Sequence, residues 1–192
     1  MTQAIDTKAK IVHRANVLMT QRGPNGFSYR DISEPLGVKN AAIHYHFPSK
    51  TDLILAVIEE NHQVLRDSTA QFMAYGGSAS EQIEGLFCFT LDRCKKGQPV
   101  CVVGALAADY DSHAEEVQRA NRRFMTDTSK WVTRVLELGR EQGEFEFAGS
   151  PVEKATVILA ALQGGRQMYR IMGEEYLQSL FTQIRRELGI KV

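Results

Sequence analysis

Apolar residues recur every three or four positions along nearly the whole chain, and nowhere is there a sustained alternation of apolar and polar residues. Ile11, Ala15, Leu18 and Met19 form one stripe, Ile83, Leu86, Phe87 and Leu91 a second, and Leu177, Leu180, Phe181 and Ile184 a third. A period near 3.6 puts each set on one side of a helix, whereas half-buried strands need a period of two. The expected fold class is therefore all-α. With 43% hydrophobic and 24% charged residues among 192, the chain has material for one or two ordinary cores. No apolar run approaches the roughly 18 to 20 residues of a membrane span, so no membrane partner is expected.

The opening segment is polar where a secretory signal needs an apolar stretch. Three cysteines, Cys88, Cys94 and Cys101, are an odd number in no metal-like spacing, which fits a reducing compartment better than a disulfide framework. A cytoplasmic location is the expectation. His44, His46 and His62 lack a carboxylate or cysteine at a ligand spacing, so neither a metal nor a cofactor is expected.

Caps and breakers divide the chain. A first helix is expected over about 7–21, with Asp6 as N-cap and Arg22-Gly23-Pro24-Asn25-Gly26 as its stop. Ser28 and Asp31 have capping-box spacing and open a short helix through Leu36, closed by Gly37, with Pro35 expected to end it early or kink it. Another short helix follows from Lys39 to about His46, and Ser49 with Asp52 starts a longer one to about Phe72. The stretch 75–80 reads as a boundary loop, Ser78 and Glu81 restart a helix, and Lys96-Gly97-Gln98-Pro99 ends it. Residues 100–108 are apolar all round and expected to be buried, and a long helix is expected over about 113–142. Ser150-Pro151-Val152-Glu153 combines a capping box with proline at the first helical position. The middle of that helix, 157–162, has no polar face. It is expected to pack on its own core and on a second subunit, with Gly164-Gly165 permitting close approach. A last helix is expected over 174–188.

Charge is uneven although the net is zero: residues 1–50 hold seven Lys/Arg against three Asp/Glu, and the remainder sixteen against twenty. That asymmetry suits a front segment that approaches phosphates. Within it, Ile32, Leu36, Val38, Ile43 and Phe47 form the apolar set of two short helices, small Ser33 sits where they cross, and Gly37 supplies the turn. This is the pattern of a helix-turn-helix. Lys39, Asn40, Ala41, Ala42, His44 and Tyr45 remain for the exposed side of the second helix, where base edges and phosphates are met. Ser28, Tyr29 and Arg30 stand at the start of the preceding helix and Lys50 at the start of the next, placed for phosphate contacts.

These residues carry a resemblance to the tetracycline-repressor-like (TetR/AcrR) family. The matching elements are Gly23-Pro-Asn-Gly26-Phe27, Arg30-Asp31-Ile32, Gly37-Val38 and His44-Tyr45-His46-Phe47-Pro48-Ser49-Lys50, and they span roughly residues 7–66. The resemblance implies a DNA-binding head, taken as residues 1–50, and a helical ligand-binding and dimerisation domain, 51–192. It also implies a homodimer through the last two helices, a palindromic double-stranded DNA operator, and a small-molecule effector. Two departures stand out: His44 replaces the family's phosphate-contacting tyrosine, and Asn40 its common lysine.

Phe89, Tyr110, Phe124, Trp131 and Tyr169, with Gln163 and Arg166 as polar anchors, can line an effector pocket or can simply be core. Cys101, ahead of a helix, resembles the placement of a reactive cysteine in the family's N-ethylmaleimide-responsive branch, and also suits burial in an apolar run. Three functions compete. A ligand-released repressor uses all these features, a thiol-dependent enzyme would pair Cys101 with His113, and a helical interaction module would have lost DNA binding. No nucleophile, base and oxyanion turn are evident together, so an enzyme is not expected.

Overall fold

The computed structural model describes residues 2–190, with side chains over 7–74 and 77–190. Its helices are α1 (Thr2–Arg22), α2 (Arg30–Leu36), α3 (Asn40–His46), α4 (Lys50–Gly76), α5 (Ala79–Lys95), α6 (Val102–Ala107), α7 (Glu115–Glu141), α8 (Pro151–Met172) and α9 (Glu174–Glu187). A 3-10 turn, Tyr110–Ser112, precedes α7. No strand occurs among the described residues, as the helical period requires. The chain divides into two compact units, one through Gln63 together with Cys101–Phe124, the other Val64–Val100 with Met125–Val192.

In the first unit α1 packs on α2, α3 and α6. Ile11, Ala15 and Leu18 from α1 are fully buried, as are Ile32, Ile43, Leu53 and Leu106. Of the expected apolar set Ile32, Ile43 and Phe47 occupy the core, with Ser33 buried beside them, while Leu36 and Val38 are half-buried. Gly37 closes α2 at φ +65°, a conformation that favours glycine. The Ser49 and Asp52 box is complete. Asp52 N–H donates to Ser49 Oγ at 3.1 Å, and the Asp52 carboxylate accepts from the Ser49 N–H and hydroxyl at 2.9 and 2.7 Å.

The box at Ser28 is half made. Asp31 accepts from the Ser28 N–H and hydroxyl at 2.8 and 2.7 Å, so the serine hydroxyl donates rather than capping a helix N–H. In both motifs the serine hydroxyl, and then its N–H, holds the aspartate below the usual carboxylate range. These bonds are present above that range and are lost as acid protonates the carboxylate.

Several boundaries differ from expectation. Helix α1 begins at Thr2, so Asp6 lies inside it and does not cap it, and α4 continues to Gly76 before Gly77 turns at φ +64°. Pro35 does not end α2 early. It removes the N–H that would reach the Asp31 carbonyl, and the Arg14 guanidinium donates to that oxygen instead, at 3.5 Å. The segment 100–108 is not buried all round: Val102, Ala105 and Leu106 are buried, while Ala107 and Ala108 are exposed.

In the second unit α5, α8 and α9 pack together around Ile83, Leu86, Phe87, Ile158, Leu162, Leu177, Phe181 and Ile184. Phe87 and Phe181 stack at 4.5 Å between centroids. The Arg185 guanidinium grips Glu84 through two bonds of 2.6 Å, a two-point lock between α9 and α5. At Ser150 the box is complete with Pro151 at the first helical turn. Gly165 serves a partner within the chain, because a Cβ there would lie 2.3 Å from Leu180 Cδ2 of α9, whereas one at Gly164 would meet nothing within 4 Å.

Candidate nucleic-acid interface

In the first unit some of the polar and aromatic side chains around α2 and α3 are engaged within the fold and others are left on the surface. Tyr29 is engaged within the fold. Its hydroxyl donates to the Phe47 carbonyl at 3.0 Å, and its ring meets His44 edge-on at 4.7 Å, tying the start of α2 to the end of α3. Burial, reinforced by Asp52, pushes its pKa up. The hydroxyl therefore stays a neutral donor.

Lys50 is likewise engaged within the fold. Its Nζ donates to the Phe27 carbonyl at 2.7 Å and lies 4.5 Å from the centre of the Phe27 ring. Partial burial lowers its pKa, opposed by the Asp31 charge. The ammonium thus fixes the turn that enters α2 to the start of α4.

The exposed set lies on α3 and the residue before it. Lys39, Asn40, Ala41, His44 and Tyr45 are exposed, and Ala42 is half-buried. Tyr45 is the extreme case at 83% exposure, although it stands between buried Ile43 and Phe47. Its ring meets that of His46 edge-on at 5.1 Å between centroids. Ser28 and Arg30 flank this face and are exposed, with Arg30 ion-paired to Glu34 at 2.5 Å. Asn40 is tied at one atom: the Ser33 hydroxyl donates to its Oδ1 at 2.5 Å. The exposure of the α3 residues is legible in the sequence pattern, but the long-range bonds of Tyr29 and Lys50 and the short bond of Asn40 have no sequence signature.

The residues considered for an effector fall in both units. In the first, Phe124 stacks on His62 at 5.0 Å, and Cys101 caps α6 by accepting the Gly104 N–H at 3.4 Å. Tyr110 donates to the Gln118 carbonyl at 3.3 Å and accepts from Arg122 at 2.7 Å. His113 is paired with Asp109 at 3.0 Å. Each of these contacts is intramolecular.

In the second unit Trp131 is buried core, Tyr169 packs against that core, and Phe89 lies under the Arg93 guanidinium at 5.9 Å. Arg166 donates to the Gln98 and Pro99 carbonyls at 2.7 and 3.1 Å, closing the turn after α5. Gln163 lines a groove of about 430 Å³ between α7 and α8, with Met125, Thr126, Ser129, Lys130, Thr156, Leu159 and Ala160. Among the cysteines, Cys94 is buried and Cys88 exposed. Burial pushes the Cys94 thiol up, partly offset by Arg166.

Residues 11–57 match the family described as bacterial regulatory proteins, tetR family, and residues 87–184 match the tetracyclin repressor-like C-terminal domain. The chain is 22% identical to the HTH-type transcriptional repressor NemR of Escherichia coli K12, over 86% of this chain and 85% of that one. A TetR-family transcriptional regulator from Agrobacterium tumefaciens superposes with a TM-score of 0.90 at 27% identity, covering 96% of this chain and 99% of its own. A TetR transcriptional regulator from Legionella pneumophila does so with a TM-score of 0.84 at 28% identity, covering 95% and 96%. The described residues contain no helix long and apolar enough to cross a membrane.

Proposed function

The chain belongs to the tetR family of bacterial regulatory proteins, and from that premise we propose that it is a cytoplasmic, ligand-responsive transcriptional regulator and not an enzyme. In this reading it represses from a palindromic operator and is released by a small-molecule inducer. The head, residues 1–50, sets α3 into the major groove. Lys39, Asn40, Ala41, Ala42, His44 and Tyr45 meet the duplex there, with Ser28 and Arg30 at the flanking phosphates. Tyr29 and Lys50 hold the geometry from behind. The observation that carries this reading is the 83% exposure of Tyr45 on α3, between buried Ile43 and the buried Phe47 at the end of that helix.

The rest of the chain, 51–192, is proposed to dimerise and to receive the effector. Val152, Val157, Ile171 and Met172 on α8 and Tyr176 on α9 are large apolar or aromatic side chains left exposed, which supports a second copy covering the last two helices. The groove beside Gln163 combines apolar walls with Lys130, Thr126, Ser129 and Thr156, a composition suited to a small amphipathic effector. Binding there would act by changing the spacing of two heads that must span successive major grooves, roughly 34 Å apart.

Two substitutions test the division of labour in the head. Tyr45→Ala should weaken operator binding about ten-fold or more while leaving the thermal midpoint unchanged, because that side chain is 83% exposed. Lys50→Ala should lower the midpoint as well, since it removes a bond to the Phe27 carbonyl worth about 1–2 kcal/mol. Duplex titration beside thermal melts measures both. Loss of folding in the Tyr45 variant would place that tyrosine in the core and remove it from the interface.

A further inference from the structure

Among the exposed residues of α3, Asn40 has one hydrogen-bonding atom of its side chain already committed. Ser33 on α2 is buried, and its Oγ lies 2.5 Å from Asn40 Oδ1. That separation is within the range of an O–H to O bond and shorter than an amide N–H to O bond, so it is the amide oxygen that faces Ser33. The other oxygen within reach of the Ser33 hydroxyl, the Arg30 carbonyl, is 3.4 Å away, too far to compete for its proton. Since Ser33 is 4% exposed, an atom in contact with its Oγ sits at the α2 and α3 junction. Asn40 itself is exposed, which leaves the amide nitrogen as the outer end of the side chain.

An asparagine that recognises adenine must use both ends of its amide, accepting from N6 and donating to N7, whereas guanine offers two acceptors, N7 and O6, and no donor on that edge. We infer that Asn40 acts as a donor-only reader, held that way by Ser33, and selects guanine over adenine at one position of each operator half-site. Ser33 is a positioning residue in this scheme and touches no base. The inference rests on the proposal that α3 enters the major groove, and it goes beyond that reading by fixing the chemistry of one base position.

The test is selection from randomised duplex DNA with the wild-type protein, Asn40→Asp and Ser33→Ala, scored by base preference at each position rather than by total affinity. The wild type should enrich guanine at one symmetric pair of positions. Asn40→Asp replaces both amide N–H donors with an acceptor, so the guanine preference should fall about ten-fold, with cytosine, whose N4 donates, taking its place. Ser33→Ala frees the amide to turn, so adenine should rise at the same position while the rest of the site is kept. Far-ultraviolet dichroism establishes that each variant is folded.

An operator whose logo is identical for wild type and Asn40→Asp overturns the inference and leaves the DNA-binding reading standing. So does a wild-type logo with adenine at the position that Asn40→Asp alters. A folded wild type that enriches no sequence overturns the reading beneath it, and the inference with it.

Discussion

Phe87→Ala should lower the unfolding free energy by about 3–5 kcal/mol, the range for removing a large ring from a packed core. Phe87 is 1% exposed and stacks on Phe181, itself 2% exposed, at an interplanar angle of 11°. The Arg185 guanidinium lies 5.2 Å from the Phe87 ring centre, so the same ring supports the lock to Glu84. Truncation opens a void beside the Phe181 ring where α5 meets α9. Typical domains hold only about 5–15 kcal/mol in total, so this change should shift a urea midpoint far more than any surface substitution. A midpoint within experimental error of the wild type would mean that α5 and α9 are not held through this stack.

Gly26→Ala should have a comparable effect on the head, about 2–3 kcal/mol, from a single methyl group. A Cβ at this position would lie 2.1 Å from the Arg22 carbonyl oxygen and 2.9 Å from its carbonyl carbon. Both are backbone atoms in the last turn of α1 and cannot swing aside. Gly23, three residues earlier, is different in kind: its φ is +79°, and a Cβ there would meet nothing within 4 Å. Its demand is conformational, whereas that of Gly26 is spatial. The turn they share delivers Phe27, whose buried ring and carbonyl receive Lys50. Displacing it should therefore cost operator affinity as well as stability. The check is a denaturant series on Gly26→Ala beside the wild type, with duplex binding measured on the folded fraction. An unaltered midpoint would show that the turn can relax without moving α2.

What the sequence makes legible is what is local. The cap at Ser150, proline beside it and glutamate three residues on lie within four positions, and their bonds form as the spacing dictates. Gly37 is legible for the same reason, because the turn between two short helices needs a positive φ at one residue. The apolar period correctly selects Ile32, Ile43 and Phe47 for the core of the helix-turn-helix. The local signal weakens at Ser28, where the right spacing yields only the carboxylate half of the box and the hydroxyl donates to Asp31.

Bonds across long separations leave no such trace. Lys50 finds its acceptor 23 residues away and Tyr29 finds one 18 residues away, and both acceptors are backbone carbonyls, which every residue possesses. Sequence pattern can place these two side chains at helix starts but cannot say that the fold has already engaged them. Gly165 is similar. Beside Gly164 it reads as space for a second subunit, while the atoms that need the space belong to Leu180 of the same chain. Nor does any local pattern reveal that Cys101–Phe124 joins the unit containing the helix-turn-helix, since that grouping follows from α6 packing on α1.

That the head binds DNA through α3 is tested most directly by titrating the purified protein with a duplex obtained by selection, at about 50 and about 200 mM salt. The expected result is binding to an inverted repeat, with an affinity that falls steeply between the two conditions as phosphate contacts release counterions. A folded protein that enriches no repeat, or that binds any duplex equally and without salt dependence, would contradict it. Such an outcome would make the chain a helical interaction module built on a helix-turn-helix that no longer reads DNA.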